Sequence, residues 1–313
     1  MASVIEENVS LVRAELIAVL VALGPEGPEV LTLKDGCMLP SGPLQTQHRS
    51  LQRGMRDWVE RQTGVRPGHI EQLYTFADRL ISDDGMRGVA VSYLALTPYA
   101  SVGAEDVGWH RWYEYFPWEE RRSPTAVRYA EHLRDALREW IGTQPPARQA
   151  LLLHRLALTF GAEDYEWQDE LVLQRYEFLY EAGLVAEAIE KKCGVSDQEE
   201  AGAGRRMADD HRRILATAMG RLRAKIRYRP VIYEMMPELF TLGELQDAVE
   251  HVAGCLVHKQ NFRRQVMQQA LIEEAGGERR SAGGRPARLY RFRRSLMLDA
   301  QIAGSKLPVV RGR

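Results

Sequence analysis

Residues 240–294 read FTLGELQDAVEHVAGCLVHKQNFRRQVMQQALIEEAGGERRSAGGRPARLYRFRR, and this stretch organises the chain. Thr241 and Glu244 have capping-box spacing, in which the Thr oxygen takes the N3 amide and the Glu reaches back to the N-cap amide. Leu242, Leu245, Val249 and Val252 form one apolar stripe at helical spacing. Gly254 follows, where a residue without Cβ can turn the chain. The pattern predicts a second helix over about 258–274, with Phe262, Val266, Ala270 and Leu271 inward and Lys259, Gln260, Asn261, Arg263 and Arg264 outward. Gly276-Gly277, a basic segment, a Gly283-Gly284-Arg285-Pro286 turn and a strand-like run over 287–292 complete it. Helix, turn, basic helix, basic hairpin is the order of a winged helix-turn-helix.

Charge agrees with that order. From Cys255 to Arg294 there are ten Lys or Arg against three Glu, a net +7 on a chain whose net charge is −1. A local cation excess on a near-neutral protein suits a phosphate-binding face, because each neutralised phosphate releases a counterion. The competing reading is a helical hairpin with a solvated basic face. The cap, the turn and the glycine-flanked hairpin together favour the first.

The chain has 313 residues, enough for two domains. Its hydrophobic content of 45% can fill real cores. The three cysteines, Cys37, Cys193 and Cys255, are widely spaced and form no CxxC pair, which argues against a zinc site or a disulfide framework and suits the cytoplasm. The first ten residues, MASVIEENVS, are polar and acidic, unlike a signal peptide. The longest apolar run lies in LIAVLVAL, too short to span a bilayer, so no membrane partner is expected.

From the N-terminus, residues 11–23 read as a buried strand, 24–28 as a turn and 29–34 as the returning strand. Residues 39–44 read as a loop. Residues 47–63 read as a helix with Leu51, Met55, Trp58, Val59 and Gln62 on one face, ended by Gly64. Residues 70–76 and 88–96 read as strands around an Asp83-Asp84-Gly85 turn. Strand, strand, helix, strand, strand describes a mixed α/β domain.

Here a resemblance becomes visible. LPSG, a helix ending in QTG, then QLYTFADR and RGVAVSYLALTP, is similar to the Nudix fold. With DHRRIL…RLRAKIRYRP, ELFTLGELQDAVE and NFRR, the chain resembles the Nudix-related transcriptional regulators of bacterial NAD metabolism, in the alphaproteobacterial branch whose sensor carries a helical insertion. The expected fold class is α+β: a Nudix-like mixed-sheet α/β/α sandwich with a helical insertion, then a C-terminal winged helix-turn-helix. The expected domains are 1–227, with the insertion at about 109–205 and a linking helix at 208–227, and 228–313.

Within the insertion the sequence predicts helices from Ser123-Pro124 to about 141, from Pro145-Pro146 through Leu151, Leu152, Leu156 and Leu158, over 164–182 ended by Gly183, and a short one over 184–192. Residues 197–205 read as a polar loop. Trp109, Trp112, Tyr113, Tyr115, Phe116 and Trp118 precede these helices. Such a cluster can stack a nucleotide ring but more often forms core or interface. The 208–227 helix reads as a basic lever between sensor and reader.

The Nudix resemblance implies metal-assisted hydrolysis of a nucleoside diphosphate linked to another group, with several carboxylates converging from one helix. With the closing glycine of the box at Gly64, the box Arg falls on Asp57, the following Glu on Trp58, and the two metal-binding Glu on Arg61 and Gln62; the earlier Glu falls on Arg49. A register shifted by one retains Arg56 and Glu60 and puts His48 at the early position. Neither supplies the acids, and residues 47–62 hold four Arg against Asp57 and Glu60. The expectation is therefore no catalysis, no metal site and no required cofactor. The arginines either meet phosphate directly or form a solvated face.

The resemblance implies an effector, NAD or a related adenine nucleotide such as ADP-ribose or ATP, with Arg13, Arg56, Arg79, Arg87 and Tyr93 as candidate ligand-binding residues. It also implies a repressor of NAD biosynthesis or salvage genes. Such a regulator would bind a double-stranded DNA operator as a homodimer, since one recognition helix reads only a short half-site. Candidate DNA-binding residues are Lys259, Gln260, Asn261, Arg263 and Arg264 in the major groove, and Arg279, Arg280, Arg285 and Arg288 from the wing. Two alternatives are an active ADP-ribose or NAD pyrophosphatase drawing acids from Asp83, Asp84 or Glu119-Glu120, and a sensor of another nucleotide-linked metabolite. His211 and His258 are expected to face solvent or phosphate.

Overall fold

The computed structural model of the chain describes residues 12–80, 87–103, 106–188, 204–228, 231–279 and 286–293. The Asp83-Asp84-Gly85 turn and the 197–203 part of the polar loop lie outside them. Strands β1 (Val12–Gly24), β2 (Gly27–Leu33), β3 (Ser41–Pro43), β4 (His69–Leu80), β5 (Arg87–Leu96) and β6 (Val107–Arg111) form one sheet. Its order is β4-β5-β1-β2-β6, with β3 also on β1. β1 and β5 are parallel and the other pairs antiparallel. β1 is apolar on both faces because it is central: Leu16 to Ala22 are all buried.

Helix α1 (Leu51–Thr63) covers one face. Met55 and Val59 pack on Leu16, Ala18, Leu20 and Leu31. Ser50 caps its start by accepting from the Arg53 amide, and Gly64 ends it at φ 72°. The helix thus begins four residues later than the apolar pattern indicates. Leu51 is exposed, and Trp58 and Gln62 are half-buried; Gly54, Met55, Val59 and Thr63 form the inward face.

The opposite face is covered by α6 (His211–Tyr228). Its Ile214, Leu215, Met219, Leu222 and Ile226 are essentially inaccessible and share a core with Ile17, Val19 and Val21. Fully burying each such side chain stabilises by about 1.5–3 kcal/mol. The predicted lever is therefore the second helical layer of the sandwich. Its basic residues conceal this role: Arg212 and Arg223 are buried in ion pairs rather than solvated.

Three features escape the sequence pattern. Residues 41–43 form a short strand, β6 closes the far edge against β2, and Trp112–Tyr115 form a helical turn, α2. The insertion helices α3 (Pro124–Gly142), α4 (Pro146–Phe160) and α5 (Val172–Ala182) follow. The predicted 164–182 helix begins only at Val172, since the preceding residues run through turns. Residues 186–188 are helical; the rest of the short 184–192 helix lies outside the described residues. Trp112, Tyr115, Phe116 and Trp118 are fully buried, so four of the six clustered aromatics are core. Glu119 is buried too, held by Arg175 at 2.6 Å and Arg223 at 2.5 Å. The two cations occupy the carboxylate that the pyrophosphatase alternative drew on, and Glu120 is engaged by Arg122.

The C-terminal part comprises α7 (Leu242–Ala253), α8 (Lys259–Gln268), β7 (Ile272–Arg279) and β8 (Ala287–Phe292). Phe240 exchanges backbone bonds with Tyr290, adding a bridge to this hairpin. Phe240, Leu245, Val249, Phe262, Leu271 and Tyr290 join the same continuous core as α6.

Candidate nucleic-acid interface and box-helix site

The capping box forms as its spacing requires. Thr241 Oγ1 accepts the Glu244 amide at 3.2 Å, and Glu244 Oε2 accepts the Thr241 amide at 2.7 Å. Glu244 Oε1 also accepts from Arg279 at 2.6 Å. Burial alone would raise the Glu244 carboxyl; the Thr241 backbone bond and the Arg279 guanidinium outweigh it and hold the group below the usual carboxylate range.

α8 anchors itself through Phe262 and Val266, each 1% exposed. Its outer face carries Lys259, Gln260, Asn261, Arg263 and Arg264, all exposed. Among the described residues, none of these three cations forms an ion pair; Arg264 donates to Asn261 Oδ1 at 3.2 Å. The helix is shorter than the predicted 258–274. Ala270 turns the chain at φ 50° and is exposed, so it is not a core position, and residues from Ile272 onward form a strand. Gly276 and Gly277, at φ 76° and 83°, make a bulge between Glu274 and Glu278 rather than opening the wing.

The wing departs from a simple phosphate comb. Arg279 is tied to Glu244 and to the Leu239 carbonyl, Arg288 pairs with Glu274 at 2.7 Å, and Arg291 pairs with Glu273 at 2.7 Å. Arg280 and Arg285 lie outside the described residues. The local excess of charge is therefore partly offset on the wing and stands open on α8. Exposed pairs of this kind contribute roughly 0–1 kcal/mol, little enough for a phosphate to replace the partner.

The box helix is legible in detail. Val59 is fully buried beneath the sheet and Gly64 makes the left-handed turn, so the register that closes the box on Gly64 places its apolar position inside. In that register three of the four acid positions lie on α1 and carry Trp58, Arg61 and Gln62, and the fourth, before the helix, carries Arg49. Trp58 Nε1 donates to the Pro43 carbonyl at 2.9 Å. Arg61 lies 4.1 Å from the Trp58 ring centroid. Gln62 accepts from the Ser41 amide at 3.1 Å and donates to the Ser41 carbonyl at 2.9 Å. Trp58 and Gln62 thus bind the β3 segment to the helix. Asp57 faces Arg53 at 3.2 Å and Glu60 faces Arg66 at 2.6 Å. A cleft of about 290 Å³ opens between Gln47-His48 and Asp57, Glu60 and Arg61.

The five ligand candidates do not gather at one place. Arg56 donates to the Pro67 and Gly68 carbonyls at 2.6 and 3.0 Å and so braces the loop before β4. Tyr93 is 4% exposed in the core beneath α1, and that burial raises its hydroxyl. Pairing sets Arg79 of β4, Gly88 of β5 and Arg13 of β1 in one row, with Arg87 in the next. By strand alternation Arg13, which is exposed, shares the face of Ile17 and Val19, opposite α1. The side chains of Arg79 and Arg87 lie outside the described residues. His258 is exposed as expected, but His211 is buried, its Nδ1 accepting the Leu39 amide at 2.8 Å.

Sequence reasoning missed the contacts between the two halves. Arg223 Nε donates to the Val252 carbonyl at 3.0 Å, and Tyr113 Oη donates to the His251 carbonyl at 2.5 Å. Burial pushes the Tyr113 hydroxyl up to about 12 against the lowering influence of Arg223. No local signal marks either residue, since their partners are far along the chain.

Comparison with known proteins accords with this architecture. Residues 232–292 match the family model of the NrtR DNA-binding winged helix domain. The ADPR responsive transcriptional repressor NtrR of Acinetobacter baylyi is 42% identical over 86 residues, 28% of this chain and 34% of that protein. The match thus spans about a third of that relative's length. Shewanella oneidensis NrtR, in a crystal structure complexed with a 27mer DNA, has a TM-score of 0.54 at 22% identity, covering 91% of this chain and 95% of that chain. A MutT/nudix family protein from Enterococcus faecalis has a TM-score of 0.51 at 17% identity, covering 91% and 87%. At these identities the structural likeness establishes the fold. The chain has the fold of a Nudix-like sandwich with a helical insertion, joined to a winged helix whose residues 232–292 match the model of the NrtR DNA-binding winged helix domain.

Proposed function

We propose that this protein is a transcriptional repressor of NAD biosynthesis or salvage genes that binds ADP-ribose or a related adenine nucleotide in its Nudix-like domain. The observation that carries this is the NrtR-type winged helix, whose α8 presents Lys259, Gln260, Asn261, Arg263 and Arg264 to solvent without ion-pair partners among the described residues. Asn or Gln suits adenine and Arg suits guanine in the major groove. A homodimer on a two-fold operator follows from the short reach of one helix. ADP-ribose is preferred over NAD and ATP because the relative that shares the reader is named for its response to it. Arg13 and Arg79, which stand in one cross-strand row through Gly88, are the preferred contacts for the effector's phosphates, since guanidinium forks match phosphate oxygens.

The domain is read as a sensor without hydrolysis. Trp58 and Gln62 at two of the acid positions bind the β3 segment, Arg61 at a third lies over the Trp58 ring, and the two carboxylates of α1 face arginines. One experiment joins the parts. Wild type and an Arg263→Ala, Arg264→Ala double variant are titrated with the upstream regions of NAD biosynthesis genes, with and without ADP-ribose, and AMP release is followed in Mg²⁺. The double variant is expected to lose operator binding by at least tenfold, at about 1–3 kcal/mol per base-reading arginine, while retaining nucleotide affinity. Operator affinity unchanged by the double substitution refutes the reader assignment. Multiple-turnover AMP release refutes the sensor-only reading.

A further inference from the structure

The C-terminal end of α7 is capped from outside the winged helix. The last carbonyls of a helix have no intrahelical partners and carry the negative end of its dipole. Here His251 O accepts from Tyr113 Oη, Val252 O accepts from Arg223 Nε, and Gly254 O accepts from the Arg121 amide at 2.8 Å. Arg223 belongs to α6, Tyr113 to α2, and Arg121 to the connection before α3. All three come from the sensor and its insertion.

The Arg223 guanidinium is itself fixed on every side. Nη1 donates to Glu119 Oε2 at 2.5 Å and to the Asp169 carbonyl at 3.1 Å. Nη2 donates to the Glu119 carbonyl at 3.1 Å and to Tyr113 Oη at 3.3 Å. Glu119 is clamped in turn by Arg175 at 2.6 and 2.9 Å. Gly254, at φ 74°, lies so close that a Cβ there would stand 2.4 Å from the Glu119 carbonyl oxygen. The chain then runs through only four residues before α8 begins at Lys259. The direction of the recognition helix is therefore set against a buried point of the sensor. α6 meets the sheet on its other side, where Lys225 pairs with Glu71 of β4.

We propose that Arg223 and Tyr113 are positioning residues for DNA reading, holding the end of α7, and through it the angle of α8, against the sensor core. The inference rests on the functional reading above, and the test separates the two. Full-length Tyr113→Phe, Arg223→Met and Arg223→Lys are compared with wild type. Removing Arg223 leaves Glu119 paired with Arg175, so the buried carboxylate keeps a partner, and Tyr113→Phe deletes only one hydroxyl. Three quantities are measured: amide hydrogen exchange, affinity for the duplex that wild type recovers from a randomised library, and affinity for ADP-ribose.

Exchange over residues 250–262 is expected to quicken about tenfold in Arg223→Met and less in Tyr113→Phe, while β1 and β5 stay unchanged. Duplex affinity falls several-fold and ADP-ribose affinity holds. Arg223→Lys recovers part of both losses, because an ammonium can still donate to Val252 O. Unchanged exchange at 250–262 overturns the inference, as does exchange quickened uniformly throughout the chain, or local quickening with wild-type duplex affinity. A wild-type protein that recovers a duplex but does not bind ADP-ribose refutes the effector reading alone and leaves the positioning role to be decided by exchange and duplex affinity, whereas one that recovers no duplex overturns both readings.

Discussion

Glu244 shows how one side chain can serve both helix and wing. It caps α7 through the Thr241 amide and receives Arg279 from β7. Its depressed pKa means that its contribution is present above the unfolded carboxylate value and disappears as pH falls through the lower folded value. The stability difference between wild type and Glu244→Gln, from urea melts, is therefore expected to be largest at neutral pH and to shrink below about pH 4. A difference that grows on acidification is the contrary result. Thr241→Ala removes the other half of the box and should cost about 1 kcal/mol at neutral pH in the same assay.

At the scale of elements, the turn between α7 and α8 is the most constrained segment of the reader. Gly254 is left-handed and has no room for a methyl group. Gly254→Ala adds the left-handed strain of about 1–2 kcal/mol to displacement of the Glu119 carbonyl. Loss of more than that strain alone in a chemical denaturation series is expected. Gly64 has the same backbone conformation but open space around its Cβ position, so Gly64→Ala should lose the strain only. Equal losses at the two positions would contradict the close approach. The box helix is the complementary case, where Trp58 and Gln62 tie α1 to β3 at the positions that the Nudix resemblance assigns to carboxylates.

At the scale of the molecule, sensor, insertion and reader share one apolar core, with Glu119, Arg175 and Arg223 buried within it. Glu119→Ala strands two guanidinium groups away from water. Removing one partner of a buried ion pair typically costs about 3–5 kcal/mol, so the urea midpoint should fall by that equivalent. Calorimetry of the wild-type chain should show one cooperative transition. Two well-separated transitions would mean that the shared core does not couple the halves.

How much of this is legible in the sequence follows from the range of the forces involved. The capping box, the glycine that ends α7, the central strand β1 and the order of the winged helix rest on patterns among neighbouring residues, and they form as read. The sequence offers two registers for the box, and burial of Val59 with the left-handed turn at Gly64 selects the one that closes on Gly64. Other features required the tertiary structure. Ala270-Leu271 continues the helical spacing of Phe262 and Val266, yet Leu271 and Ile272 are drawn into the wing because β8 and Phe240 offer backbone and ring partners there. Arg212 and Arg223 of α6 read as part of a basic lever, but partners 25 to 104 residues away bury them. Arg56 and Arg279 read as phosphate ligands, and carbonyls and a carboxylate brought in by folding engage them first. Periodicity and capping are short-range and determine the elements. Which charges are buried, and which helix end they hold, depends on contacts between distant residues, and only the packed molecule decides that.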